Sequence, residues 1–235
     1  MPRLRQVLKG IKVEAGKQGR PPRSRMPITP SILRKIKSVW ISKESTFNDL
    51  MLWAASVTTF FTFCRSGEMT VARQNSYDPN THLSYDDIAV DDGKFPKVIS
   101  LLLKCSKTDQ ERRSTRVIMG RTGDDLCPVS ALLNYLQARG SNPGPLFHWQ
   151  DGTPLCKSKF VENVRAALSK AGLPASDYAG HSFRIGAATT AATTGVEDST
   201  IQTLGRWQSS SYLLYIRLEP SCLAAMSSTL AKCQI

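Results

Sequence analysis

Apolar positions raise the first expectations about this chain. In "ITPSILRKIKSVW" the residues Ile32, Leu33, Ile36 and Trp40 recur at helical spacing, with Thr29 set to cap the helix and Pro30 in its first turn. The next run, "LMLWAASVTTFFTFC", belongs to a helix predicted from about Thr46 to Phe63. It is apolar on most sides, which predicts a central, buried position. It is also shorter than the ~20 residues a membrane span needs. The period then changes. "YDDIAV", "KVISLLLKC" and "STRVIMG" are short β-rich runs separated by charged turns, and they predict a small antiparallel sheet. From "CPVSALLNYLQARG" onward the pattern is helical again. "SKFVENVRAALSKAG", "SFRIGAATTAATTG", "DSTIQTLG", the segment around Tyr212 and Tyr215, and "SCLAAMSSTLAKC" read as successive short helices with Gly or Pro between them. No internal repeat is visible. The fold class is mainly α, an α+β arrangement in which a helical domain carries a small inserted antiparallel sheet. Residues 1–28 read as a short basic segment followed by a Pro- and charge-rich linker, and residues 29–235 as the domain.

Charge sharpens this picture. Hydrophobic residues at 41% and charged residues at 21% are an ordinary globular mixture, but a formal net charge of +12 is not. Such an excess of Lys and Arg points to a polyanionic partner, nucleic acid ahead of a membrane surface. The six cysteines form no CxxC pair and no His stands at zinc-ligand spacing, so reduced thiols in an intracellular protein are expected. "KQGRPPRSR" fits a nuclear localisation patch and equally a solvated linker.

Three short stretches carry candidate chemistry. "HSFR" puts His181 and Arg184 three residues apart at a helix start, on one face, ahead of a small apolar helix that fixes them. A helix N-terminus favours an anion, so this combination suggests a phosphate. "CRSGEM" supplies Arg65 directly after the buried helix, with Glu68 positioned to hold its guanidinium while other donors remain for a phosphate oxygen. "GRWQSSSYLLYIR" holds Trp207 and the tyrosines Tyr212 and Tyr215, which share a helical face.

Read in order, Arg65 with Glu68, Lys107 in "CSKTD", His181 and Arg184 in "HSFR", Trp207 and Tyr215 resemble the catalytic set of the tyrosine recombinases. This superfamily includes phage integrases, Cre and Xer recombinases and the recombinases of eukaryotic mobile elements. The resemblance runs from about residue 30 to 231. "GRW…YLLYIR", with its short Trp-to-Tyr spacing, is most similar to the Crypton and DIRS-like elements. It implies a tyrosine-recombinase-type catalytic domain acting on double-stranded DNA, with no metal and no nucleotide cofactor. Tyr215 would attack a phosphodiester to form a 3′-phosphotyrosyl bond and release a 5′-hydroxyl. Arg65 and Arg184 would neutralise the non-bridging oxygens, and His181 would transfer a proton or donate to the phosphate. Lys107 would protonate the leaving oxygen, with Trp207 offering an indole N–H and Glu68 in support. Two choices stay open in the sequence: Tyr212 stands one helical turn before Tyr215, and Lys104 three residues before Lys107, where it is expected within a strand.

The resemblance further implies a nuclear protein that assembles as a tetramer on DNA through the C-terminal helix "SCLAAMSSTLAKC". Family members clamp DNA between two domains, and residues 1–28 are too few for the second. The expectation is a fragment or derivative that binds DNA mainly through its basic face. A DNA-binding derivative with an inactive site and a type IB topoisomerase are the competing readings. Affinity for mixed-sequence duplex DNA should fall ~10³-fold between 50 and 200 mM salt if about six phosphates are contacted. Fluorescence anisotropy across that range checks this, and a flat response would exclude a charge-dominated interface.

Overall fold

The computed structural model describes residues 25–105 and 114–217, with isolated positions 224 and 231. Lys107 and nearly all of "SCLAAMSSTLAKC" lie outside the described residues. The first helix, α1, spans Pro30–Trp40, with the Thr29 hydroxyl accepting from the Ile32 amide and Leu33, Ile36 and Trp40 buried. Helix α2, Phe47–Phe61, is shorter at both ends than its apolar pattern predicts. Thr46 is its cap, in a reciprocal capping box with Asp49, and Thr62 closes its C-terminus. Every residue from Met51 to Phe60 is buried, so α2 is the central element. Its fully buried large apolar side chains, Met51 and Val57, each contribute ~1.5–3 kcal/mol of transfer free energy.

A four-residue helix, α3 (Ser66–Met69), follows directly. The sheet comes next: β1 (Ile88–Val90), β2 (Val98–Leu103) and β3 (Thr115–Gly120), antiparallel in the order β1-β2-β3. Alternation decides its faces. Ile99 and Leu101 stand opposite Met119 and Val117, all buried, while Ile118 between them is exposed. The first residues of "YDDIAV" form a 3₁₀ turn, Tyr85–Asp87, because Asp87 accepts the Ser84 backbone N–H in a capping box. The remaining helices are α4 (Pro128–Arg139), α5 (Lys157–Lys170), α6 (Ser182–Thr193) and α7 (Asp198–Leu204). The tyrosine segment differs from expectation: Ser210–Tyr215 is 3₁₀, not α-helical.

Helix α2 packs on α4, α6 and α1, and α6 packs in turn on the 3₁₀ segment, so the core surrounds α2 and α6. Residues 25–28, assigned by composition to the linker, lie against this core. Ile28 is fully buried and its amide donates to the Ser182 carbonyl, while the Met26 amide donates to the Asp177 carbonyl. Gly186 permits that approach, because a Cβ there would stand 1.8 Å from the Ile28 carbonyl oxygen. Among the described residues no helix is long and apolar enough to cross a membrane.

Gly186→Ala should therefore destabilise the domain by about 1–3 kcal/mol. Gly123→Ala, where a Cβ meets nothing within 4 Å, should be neutral. Urea denaturation of the two variants checks the contrast, and equal stabilities would mean that the segment is not docked.

Candidate active site

Helix α2 ends in a tight turn whose residue Phe63 takes a left-handed conformation at φ 52°. This turn reverses the chain so that Arg65 caps α3. The Glu68 carboxylate accepts the Arg65 backbone N–H at 2.7 Å and faces its Nη1 at 3.2 Å. Glu68 also pairs with Arg206 at 3.0 Å, and its side chain is only 5% exposed. Arg206 has left-handed backbone too, φ 56°, directly after Gly205 at the exit of α7.

Arg184 and His181 sit at one helix start but meet different surroundings. His181 is exposed at the N-cap of α6, whereas Arg184 is fully buried. The helix start enters its neighbours deeply enough that its first turn has an inner and an outer side, which i,i+3 spacing alone does not reveal. Arg184 Nη1 donates to the Phe63 carbonyl at 2.8 Å and Nη2 to the Gly205 carbonyl. One guanidinium thus serves the exits of both α2 and α7, where carbonyls carry the negative end of the helix dipole. Its Cζ lies 4.1 Å from the Trp207 ring centre and 5.4 Å from that of Tyr215. Burial, followed by repulsion from Arg65, lowers its pKa to about 10. Two buried donors have no acceptor here: Arg184 Nε and Trp207 Nε1.

The two tyrosines separate. Tyr212 is buried, and burial together with the hydrogen bond its hydroxyl donates to Asp198 raises its pKa. Tyr215 instead lines a cleft of about 710 Å³ with Arg65, Glu68, His181 and Lys157. Its ring lies 5.1 Å from that of Trp207. Thr189 on α6 fixes its backbone, donating to the Tyr215 carbonyl at 3.3 Å and accepting the Arg217 amide at 2.9 Å. Gly180 closes the other wall. A Cβ there would stand 2.2 Å from Ser66 Oγ, so the His181 turn rests directly on α3.

The structure therefore brings Arg65, Glu68, His181 and Tyr215 to one cleft, with Arg184 and Trp207 packed behind Tyr215. Cys105 also lines this cleft, two residues before Lys107. Lys104 lies just beyond β2 rather than within it, because the register with β3 ends at Leu103. Its amine is committed to Asp87 at 2.7 Å and to the Pro79 carbonyl at 2.6 Å. Arg206 beside the cleft, and Lys157 and His82 in its lining, escaped the sequence reading. Arg206 stands inside the quoted "GRW", but nothing in sequence marks one arginine of a basic chain as buried. Lys157 and His82 lie in stretches without a motif.

No protein-family model and no curated protein matches the chain. Solved structures do match. XerA recombinase superposes with a TM-score of 0.65 at 19% identity, covering 92% of this chain and 67% of that one. XerH site-specific recombinase, bound to palindromic difH substrate in a post-cleavage complex, gives 0.61 at 15% identity over 90% of this chain. The Tn1549 transposon integrase, in complex with circular intermediate DNA, gives 0.51 at 15% identity over 88% of this chain and 65% of that one. The fold is that of a tyrosine recombinase catalytic domain. At these identities the likeness is one of fold, and the chain spans about half (53%) of the XerH chain.

Chemically, the arrangement suits an anion. Arg65 and Arg206 pair with the single carboxylate of Glu68 while Arg184 donates to two backbone carbonyls, leaving an excess of positive charge around a phenol. Removing Arg184 leaves two buried carbonyls without donors. Arg184→Met should cost about 3 kcal/mol, measured by urea denaturation followed through tryptophan fluorescence. A loss below about 1 kcal/mol would mean that the two helix exits do not depend on it.

Proposed function

We propose that this chain is the catalytic part of a DNA strand transferase that cleaves and rejoins DNA through Tyr215. The observation that carries this reading is the pair of buried, acceptorless donors, Arg184 Nε and Trp207 Nε1, packed against the Tyr215 ring. A buried N–H without a partner has a free-energy cost, and an incoming oxyanion removes it. A phosphodiester supplies such oxygens at the point where a phenol can attack phosphorus. The Tyr215 oxygen bonds to phosphorus, the bond from phosphorus to the 5′ oxygen breaks, and the product is a 3′-phosphotyrosyl link with a free 5′-hydroxyl. The phenolic proton leaves to a base, in which role His181 stands at the cleft. Lys107 returns a proton to the 5′ oxygen. Arg65 and Arg184 balance the charge that develops on the non-bridging oxygens. The covalent link conserves the energy of the broken bond, so the reverse step rejoins strands without nucleotide hydrolysis.

Support from the fold is of the same kind. XerH has been captured with a cleaved DNA substrate and FLP recombinase with a Holliday junction. The reading extends to a mobile-element recombinase, working in the nucleus as a tetramer on DNA, on the "GRW…YLLYIR" resemblance.

The test is a nicked duplex spanning the flanks of the gene's own locus, incubated with protein in the absence of metal and resolved on a denaturing gel. A covalent protein–DNA band is expected from the wild type and from Tyr212→Phe, and should fall at least ~10³-fold in Tyr215→Phe. A band lost only in Tyr212→Phe would move the nucleophile by three residues. Salt-sensitive binding with no band at all would leave a DNA-binding module in place of an enzyme.

A further inference from the structure

Arg206 does not line the cleft, yet it is tied to the residues that do. It stands between Gly205, whose carbonyl Arg184 holds, and Trp207, on which Arg184 stacks. Its backbone occupies the left-handed region, which is unfavourable for any residue with a Cβ. What this conformation achieves is direction. The guanidinium, 17% exposed, turns back across 138 residues of sequence to pair with Glu68 Oε2 at 3.0 Å. It also donates to the Thr62 carbonyl at 3.1 Å and to Cys64 Sγ at 3.4 Å. Burial alone would lower its pKa, but the Cys64 sulfur and Glu68 outweigh burial and hold it above the ordinary value.

Glu68 is the shared element. One oxygen, Oε2, takes both the Arg206 Nη2 donor and the Arg65 backbone amide, while Oε1 faces Arg65 Nη1 alone. A nearly buried carboxylate with Arg65 as its sole cationic partner would draw that guanidinium fully onto itself, in the bidentate geometry arginine favours. With Arg206 occupying Oε2, Arg65 is held by a single side-chain contact and its remaining donors are left for the cleft. We infer that Arg206 is a positioning residue for phosphate recognition. Acting through Glu68, it sets the orientation of Arg65 and locks the turn that carries Trp207 and leads to Tyr215 onto the turn that carries Arg65.

The inference rests on the reading of Arg65 as a phosphate-binding cation, and the test separates the two. Inorganic phosphate is titrated into the full chain while arginine side-chain Nε–H signals are followed by NMR, with the Arg65 signal identified by its loss in Arg65→Ala. Wild-type protein should bind phosphate. Arg206→Ala and Glu68→Gln should each weaken binding roughly tenfold and shift the Arg65 signal, and Arg65→Ala should weaken it as much. The double variant Arg65→Ala/Arg206→Ala should be no weaker than Arg65→Ala alone, and Arg206→Lys, which keeps a charge beside Glu68, should recover part of the loss. Circular dichroism verifies folding. If Arg206→Ala unfolds, Arg206→Lys and Arg206→Gln carry the same comparison. Unchanged phosphate affinity in the Arg206 variants, or additive losses in the double variant, would overturn the inference while leaving the anion site intact. A wild type that ignores phosphate would overturn the reading of Arg65 itself. A wild type that binds phosphate with the expected pattern, but yields no covalent DNA band, would leave Arg206 in its role and remove the strand transfer.

Discussion

The Arg184 guanidinium joins the exits of α2 and α7, and the cleft depends on that joint. Helix ends leave carbonyls without partners, and here two such ends, Phe63 and Gly205, point at the same buried cation. A charge this deep is tolerable only because each carbonyl stands at the negative end of a helix. The same residue carries Trp207 and Tyr215 on its face. Central helix, tyrosine segment and arginine-bearing turn are thereby set relative to one another by one side chain that scarcely meets solvent.

Around that joint the electrostatics are one-sided. Two arginines, Arg65 and Arg206, pair with one carboxylate, and the pKa of the third, Arg184, is pulled down to about 10 by burial and by the charge of Arg65. In a low-dielectric setting such an excess is unfavourable for the empty protein and favourable for an anion that enters it. The left-handed residues Phe63 and Arg206 belong to the same strained exits, where glycine is the usual occupant. Strain, orphan donors and unbalanced charge meet at one place, as functional sites tend to arrange them.

Much of the fold was legible along the chain. Thr29 and Pro30 marked the start of α1, the β-rich run "KVISLLLKC" announced a strand of the small sheet, and the apolar run of α2 announced its central position. Less legible was anything set by contacts between distant segments. Tyr212 and Tyr215 look equivalent at three-residue spacing, and only burial of one against Asp198 and exposure of the other to the cleft distinguish them. Lys104, expected within a strand, is paired instead with Asp87, a contact that no local pattern announces. His181 and Arg184 share a helix face on paper, and part company because the start of α6 is wedged between α3 and the exits of two other helices.

Local order, then, was written in the sequence: which segments are helical, which is central, where the sheet lies, and which residue types suit a phosphate. Periodicity and capping act between near neighbours, so a single chain displays them. Tertiary structure alone decided which tyrosine faces the cleft, that Arg184 is a buried joint, and that Arg206 belongs with Glu68. Those outcomes depend on burial and on hydrogen bonds spanning 21 to 138 residues, and a side chain's charge in sequence carries no record of the depth to which folding takes it.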